Sequence, residues 1–338
     1  MDGKLPEEFA PTGPKLSKFA IRPAPPIRPH LFADEARFAL RLALLAGGTE
    51  FAAWAWLAAS GRRREVLILA ALRLLRPLWA RAGTRLPRPA LALAALAIAF
   101  VAAGAAAFGP EKPLLALVLV AAGLPALGDL CASAIGDSVT VERRAAAYAW
   151  LDIGQALGGA LGLAVGAVLP GWAPAATVPV LAIAAIGIPP LHDRGTPRSS
   201  WPAGAYFDAL ATPLGWQLVL SAFACGLLAG PGSALWEAVL SGGLPRWALA
   251  LLPIAGLAVA ARLEPHMRNA LWLPRAALLL AAAGRALGWP PLLLLAMGVV
   301  FGAIPAAVAR GAGEMERPLL SSLAWSALIA GAAASAVI

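Results

Sequence analysis

Charge is what this sequence has least of. Asp, Glu, Lys and Arg make up 13% of its 338 residues and hydrophobic residues make up 60%, against roughly a quarter charged in soluble domains. That balance excludes a water-facing surface for most of the chain and makes lipid its solvent. Period-2 alternation is missing as well, which excludes a membrane barrel and leaves helices of about 20 apolar residues as the spanning element. The two cysteines, Cys131 and Cys225, each sit inside an apolar run, so neither a disulfide framework nor a thiolate metal site is expected. The three histidines, His30, His192 and His266, lie in polar segments without a partner at metal-ligand spacing. A Gly-rich phosphate loop, an H-E-x-x-H pair and a Ser/His/Asp set are absent, as is a soluble stretch large enough to hold a cofactor. The expectation is no enzyme, no metal and no cofactor.

What is present is a succession of Ala/Leu-rich runs separated by Gly, Pro and charge. They predict an all-α, polytopic membrane protein with about eleven helices, within a range of ten to twelve, at 37–60, 65–80, 89–108, 113–136, 143–169, 174–191, 207–230, 246–263, 269–287, 290–310 and 318–337. The second, "EVLILAALRLLRPLWARAG", carries Arg73 and Arg76 and reads equally well as an amphipathic helix lying in the interface. "GPGSALWEAVLSGG" reads as a continuation of the seventh helix or as a short re-entrant piece. Residues 1–36 form a Pro-rich, basic tail without an apolar core of signal-peptide type. The polar break "HDRGTPRSSWPAGA" separates an N-terminal membrane half, 37–191, from a C-terminal half, 207–338, through a central loop at 192–206.

Orientation follows from the distribution of Lys and Arg. With the N-terminus in the cytosol, the inner loops collect Arg81, Arg85, Arg88, Arg143, Arg144, Arg194, Arg198, Arg262, Arg268, Arg310 and Arg317, and the outer loops hold Lys112, Arg246 and Arg285. The run Arg62–Arg64 breaks the pattern. The expected location is the cytoplasmic (inner) membrane, where the excess of 27 basic over 18 acidic residues meets anionic lipid at the cytosolic face. No basic run with interleaved aromatics points to nucleic acid.

Residues 134–170, "AIGDSVTVERRAAAYAWLDIGQALGGALGLAVGAVLP", concentrate the chain's motifs. Asp137, Glu142, Arg143 and Arg144 make a charged turn between the fourth and fifth helices. Gly154, Gly158, Gly162 and Gly166 recur every four residues, about 400° around a helix, and form one stripe that allows another backbone to approach closely. This region resembles the helix 4 to helix 5 segment of the major facilitator superfamily. "RPLWARAGTR", residues 76–85, occupies the place of that family's loop signature G-x-x-x-D-R-x-G-R-R: Arg81, Gly83 and Arg85 match, while Arg76 and Ala80 replace the first Gly and the Asp. "ARLEPHMR", 261–268, is a fainter copy, with Glu264 in the acidic place. The resemblance spans about residues 37–338. It implies a two-half helical bundle, alternating-access transport, and a charge latch on the cytosolic side in which Asp137 faces Arg81 or Arg85. Three features depart from the family: the fourth helix has no intramembrane Arg, the fifth has no Pro after its Gly, and the count of helices is eleven.

A charge at the bilayer centre costs at least ~2.5–3.5 kcal/mol, so deep polar residues should face a cavity or a partner. Glu50, Asp129, Asp152 and Gln155 lie deep, and Asp152 and Gln155 share a helix face. If the chain transports, Asp152 and Gln155 are the expected substrate or proton contacts, Glu50 the facing carboxylate, and Arg73 and Arg275 the counter-ions; the bland reading has each acid neutralise an Arg between helices. Gln217 and Glu237 are weaker candidates. Trp54, Trp56, Trp79, Trp172, Trp247, Trp272 and Trp289 read as an interfacial aromatic belt. Two functional readings result: a secondary transporter of a small solute, and a transport-inactive scaffold or accessory subunit of a larger membrane complex. The first requires a central cavity, the second a packed centre.

Overall fold

A computed structural model describes residues 33–60, 87–108, 127–191, 203–230, 245–266, 269–313 and 316–335. All of the structured elements among them are helical: α1 (Ala33–Ser60), α2 (Arg88–Phe108), α3 (Leu127–Ser138), α4 (Val141–Val168), α5 (Ala173–Ala184), α6 (Ala203–Ala211), α7 (Pro213–Ala229), α8 (Arg246–Leu263), α9 (Trp272–Ala286), α10 (Pro290–Gly311) and α11 (Arg317–Ala334), with short 3-10 turns such as Glu264–His266 between some of them. The expected helix at 65–80, the loop signature at 76–85, the segment at 231–243 and nearly all of the N-terminal tail and central loop lie outside the described residues.

Among those residues, five helices are long and apolar enough to cross a membrane, and the bent pair α6 and α7 makes a sixth if counted as one span. Leu93, Phe100 and Val101 on α2, Ile183 on α5 and Leu279 on α9 stand exposed, a liability in water and the expected lipid-facing surface in a bilayer. The chain is an integral membrane protein.

Glycine decides the closest helix pairs. A β-carbon on Gly158 would overlap the backbone carbonyl of Gly47, one on Gly162 that of Phe51, and one on Gly166 that of Ala55, so the stripe read from the sequence seats α4 directly on α1. The C-terminal half repeats the device: Gly331 of α11 sits on the Phe223 carbonyl of α7, and Gly226 of α7 on the Leu328 carbonyl of α11. In lipid, where burying apolar side chains against one another gains little, such backbone proximity supplies the packing that holds helices together.

Two expectations need correction. The seventh helix is not continuous over 207–230 but turns by 90° between α6 and α7. Pro213 disfavours a helical Thr212, which is extended (φ −68°, ψ 147°) and caps α7 by accepting the Gly215 N–H at 3.0 Å. Trp54 and Trp56 are not belt residues: both are buried. Trp172, Trp272 and Trp289 are about half exposed or more, as a belt requires.

Residues Leu31–Ile338 form one contact unit. One apolar cluster belongs to the N-terminal half, including Leu42, Leu96, Ile135 and Leu181. Another crosses between the halves, joining Trp54, Ala160 and Leu163 to Leu218, Phe301 and Trp325.

Candidate functional site

The polar centre of the molecule lies on the seam between the halves. α4 presents Asp152 and Gln155, three residues apart and both buried. α11 begins with Arg317 and Pro318, where a proline at the second helical position leaves no hydrogen bond unmade. One turn further in, the Ser321 hydroxyl donates to Asp152 Oδ1 at 3.1 Å. Asp129 of α3 and Ser322 of α11 line the same crevice. Its free volume is about 10 Å³, the size of a single water site.

Arg317 marks the mouth. Its Nε donates to the Ala312 carbonyl at 3.3 Å and its Nη2 to the Ala309 carbonyl at 2.9 Å, which holds the guanidinium against the C-terminal end of α10, the negative end of that helix. Its charge acts on Asp152, the buried carboxylate of the same crevice. Tyr148, Asp152 and Arg317 also border a second, larger cleft of about 460 Å³, walled by α4, α8 and α10.

Above the crevice the seam is closed by aromatic rings. Phe301 of α10 meets Trp54 of α1 edge-on, centroids 5.0 Å apart, and stacks on Trp325 of α11 at 5.5 Å. All three are fully buried. The indole N–H groups of Trp54 and Trp325 find no acceptor among the described residues.

Of the candidates named from the sequence, the fold brings Asp152, Gln155 and Asp129 together. Glu50 does not line that crevice. α1 turns Gly47, Phe51 and Ala55 toward α4, and Glu50 is buried on the flank of that face, lining neither crevice nor cleft. The group facing Asp152 is therefore a hydroxyl from the other half. Arg275 donates to Gln217 Oε1 at 2.8 Å, a contact within the C-terminal half, and stands apart from Asp152. Arg73, Arg81, Arg85 and Glu237 lie outside the described residues. Asp137 pairs with Arg88 at the start of α2, the two side chains 16% and 6% exposed. Arg143 pairs with Glu35 at 3.1 Å, tying α4 to the start of α1.

Sequence reasoning missed Ser321 and Arg317. The charge pattern assigns Arg317 only to a cytosolic loop; the signal for Ser321 is the Ser321–Ser322 pair in an otherwise apolar span, a polar couple that needs partners in lipid.

No family model matches the sequence, and no curated protein is significantly similar to it. Solved structures are similar in fold. A bacterial homologue of the human lysosomal transporter Spinster, in an inward-facing and unoccupied conformation, superposes with a TM-score of 0.55 at 17% identity, over 90% of this chain and 82% of that one. A bacterial homologue of the iron transporter ferroportin, in an outward-facing state with soaked iron, gives 0.56 at 17% identity, over 88% and 89%. These likenesses show that the chain shares the fold of these solved transporters, the two-half helical bundle that its resemblance to the major facilitator superfamily implies, at low sequence identity.

Proposed function

We propose that the protein is a secondary transporter that moves a small solute by alternating access, in the inner membrane with its N-terminus in the cytosol. The observation that carries this reading is the Ser321–Asp152 hydrogen bond, a polar contact between the halves at a buried position. A charge-bearing side chain is expensive in lipid, and one placed on a seam can be released when the seam opens.

The rest of the site supports the same mechanism. The pairs α1/α4 and α7/α11, interlocked backbone to backbone, move as bodies. The Trp54–Phe301–Trp325 stack closes the path on one side of Asp152. Arg317 and the Arg88–Asp137 and Arg310–Glu264 pairs gather at the other side, which the positive-inside rule assigns to the cytosol and to contact with anionic lipid. Solute or proton arriving from that side competes with Ser321 for Asp152, and the broken bond lets the halves rock. Reconstitution in vesicles with a panel of small solutes tests this: flux that saturates with solute and collapses in Asp152→Asn supports it, and no flux for any solute together with unaltered solute binding in that variant opposes it.

A second reading, a transport-inactive accessory subunit of a membrane complex, is favoured by one observation: the centre is packed, with space for about one water beside Asp152. Purification in mild detergent separates the two, since fixed stoichiometric partners are expected of a subunit and a monodisperse single chain of a transporter.

A further inference from the structure

Two hydrogen-bond donors in the seam meet no acceptor. The indole N–H groups of Trp54 and Trp325 are fully buried and find none among the described residues. Buried donors are nearly always paired, and a bilayer core holds no bulk water to pair them. Trp56 shares the condition, but it belongs to the N-terminal half's own core. The other two come one from each half, α1 and α11, and both pack on the same ring: Phe301 of α10 meets the first edge-on and stacks on the second. A ring is a weak acceptor, so Phe301 supplies the ring contact and leaves the N–H groups without a full hydrogen bond.

These rings continue the strip of the seam that begins at Asp152. On α4, Asp152, Gln155 and Gly159 follow one another at helical spacing on one face. Gly159 makes room for the indole: a β-carbon there would lie 3.3 Å from Cδ1 and 3.4 Å from Nε1 of Trp54, and 3.5 Å from Cε1 of Phe301. On α11, Ser321 and Trp325 are four residues apart and share a face. The aromatic group therefore begins one turn, about 6 Å, along α11 from the Ser321–Asp152 hydrogen bond, on the side away from Arg317. α10 is loosened at this level, because Pro305 has no N–H to return to the carbonyl of Phe301 four residues earlier. A solute admitted past Asp152 reaches these rings next.

We propose that Trp54, Phe301 and Trp325 enclose the solute site of the opened seam, and that it takes a neutral, flat, ring-bearing molecule with carbonyl or ring-nitrogen acceptors. The inference rests on the transporter reading and specifies its substrate class. An indole N–H only donates, so the ligand atoms that face Trp54 and Trp325 are acceptors. Asp152 at the entrance opposes an anion, and the Arg317 charge that acts on it weakens its hold on a cation; a neutral solute meets neither obstacle. A solute ring that displaces Phe301 keeps the stacking contact with Trp325 and adds the two hydrogen bonds that Phe301 cannot give. That difference between the closed and the occupied seam is what lets the solute favour opening. The Gln155 amide, buried on the same face of α4, presents a donor and an acceptor beside the rings.

The test is equilibrium binding to the full chain in lipid nanodiscs with radiolabelled caffeine as probe, a neutral, flat molecule that carries acceptors and no N–H. 1-Methylindole, a flat ring without a good acceptor, and benzyltrimethylammonium, a ring bearing a cation, serve as comparisons, each corrected for uptake by empty nanodiscs. Caffeine should bind at least about tenfold more tightly than either. Trp54→Phe and Trp325→Phe keep a ring and remove the N–H. Each should lower caffeine affinity about tenfold and leave that of 1-methylindole within about twofold. Equal affinity for the three probes in the native chain, or no caffeine binding, overturns the proposal without any variant. Unchanged caffeine affinity in both Phe variants, shown to be folded by their thermal unfolding, overturns it as well. Acceptor-selective binding without flux would leave the site standing and remove the transporter reading; saturable flux of a solute that caffeine does not inhibit would keep the transporter reading and remove the site.

Discussion

Ser321 and Asp152, 169 positions apart in sequence, share a 3.1 Å hydrogen bond that joins α11 to α4 across the seam between the two halves. Both are buried, so the contact is neither a surface accident nor part of one half's internal packing. If it is a release point of the transport cycle, Asp152→Asn should lower solute flux at least tenfold while leaving folded stability within about 1 kcal/mol, because the amide oxygen can still accept from Ser321. Flux and thermal unfolding measured on one preparation check both halves of that statement.

Close helix seating makes a sharper structural prediction. Gly158→Val should destabilise by more than the about 1–3 kcal/mol of ordinary overpacking, because its β-carbon meets the Gly47 backbone and not a side chain that can turn aside. Gly104→Ala, with nothing within 4 Å of the added carbon, should be neutral or slightly stabilising. Thermal unfolding in detergent distinguishes these outcomes.

The Arg88–Asp137 pair is nearly buried, and removing either partner costs the other a charge-assisted hydrogen bond. Arg88→Ala and Asp137→Ala should each lower stability by about 3–5 kcal/mol, and the double variant by less than their sum. A double-mutant cycle of unfolding free energies measures this coupling. Additive losses would show that the pair acts as two separate anchors.

Phe301 is the common partner of two tryptophans. Phe301→Ala should lower stability by about 3–5 kcal/mol and open a path beside Asp152. The readout is labelling of a cysteine placed at Ser321 by a membrane-impermeant thiol reagent from the side opposite Arg317: slow in the native background, fast in the Phe301→Ala background.

Much of this was legible in the sequence because helix periodicity is local. The apolar runs located the helices, the four-residue glycine repeat identified the face of α4 that meets α1, and Asp152, Gln155 and Asp129 were marked by being polar in lipid. The partner of Asp152 was not legible, since which residue of α11 reaches α4 depends on how the two halves dock. Glu50, expected as the facing carboxylate, is buried and lines neither the crevice nor the cleft; depth along a helix can be counted from the sequence, but which cavity a side chain lines depends on the packing of its neighbours. The break before α7 is readable from Thr212–Pro213, although the apolar run continues through it. Trp54 lies near the end of its helix, where a belt residue is expected, and packing against Phe301 took precedence.

The proposed transport motion is a rocking of the two halves about the Asp152 seam. Its most direct test is paired distance measurement by electron spin resonance, in a background with Cys131 and Cys225 replaced by Ala. One spin-label pair is placed at Asp34 and Arg262 on the Arg317 side, and the other at Trp172 and Leu287 on the opposite side, all exposed positions. Alternating access predicts two distance populations for each pair, the first lengthening where the second shortens, with Asp152→Asn shifting their ratio. A single narrow distance for both pairs, unmoved by solute and by Asp152→Asn, would contradict it.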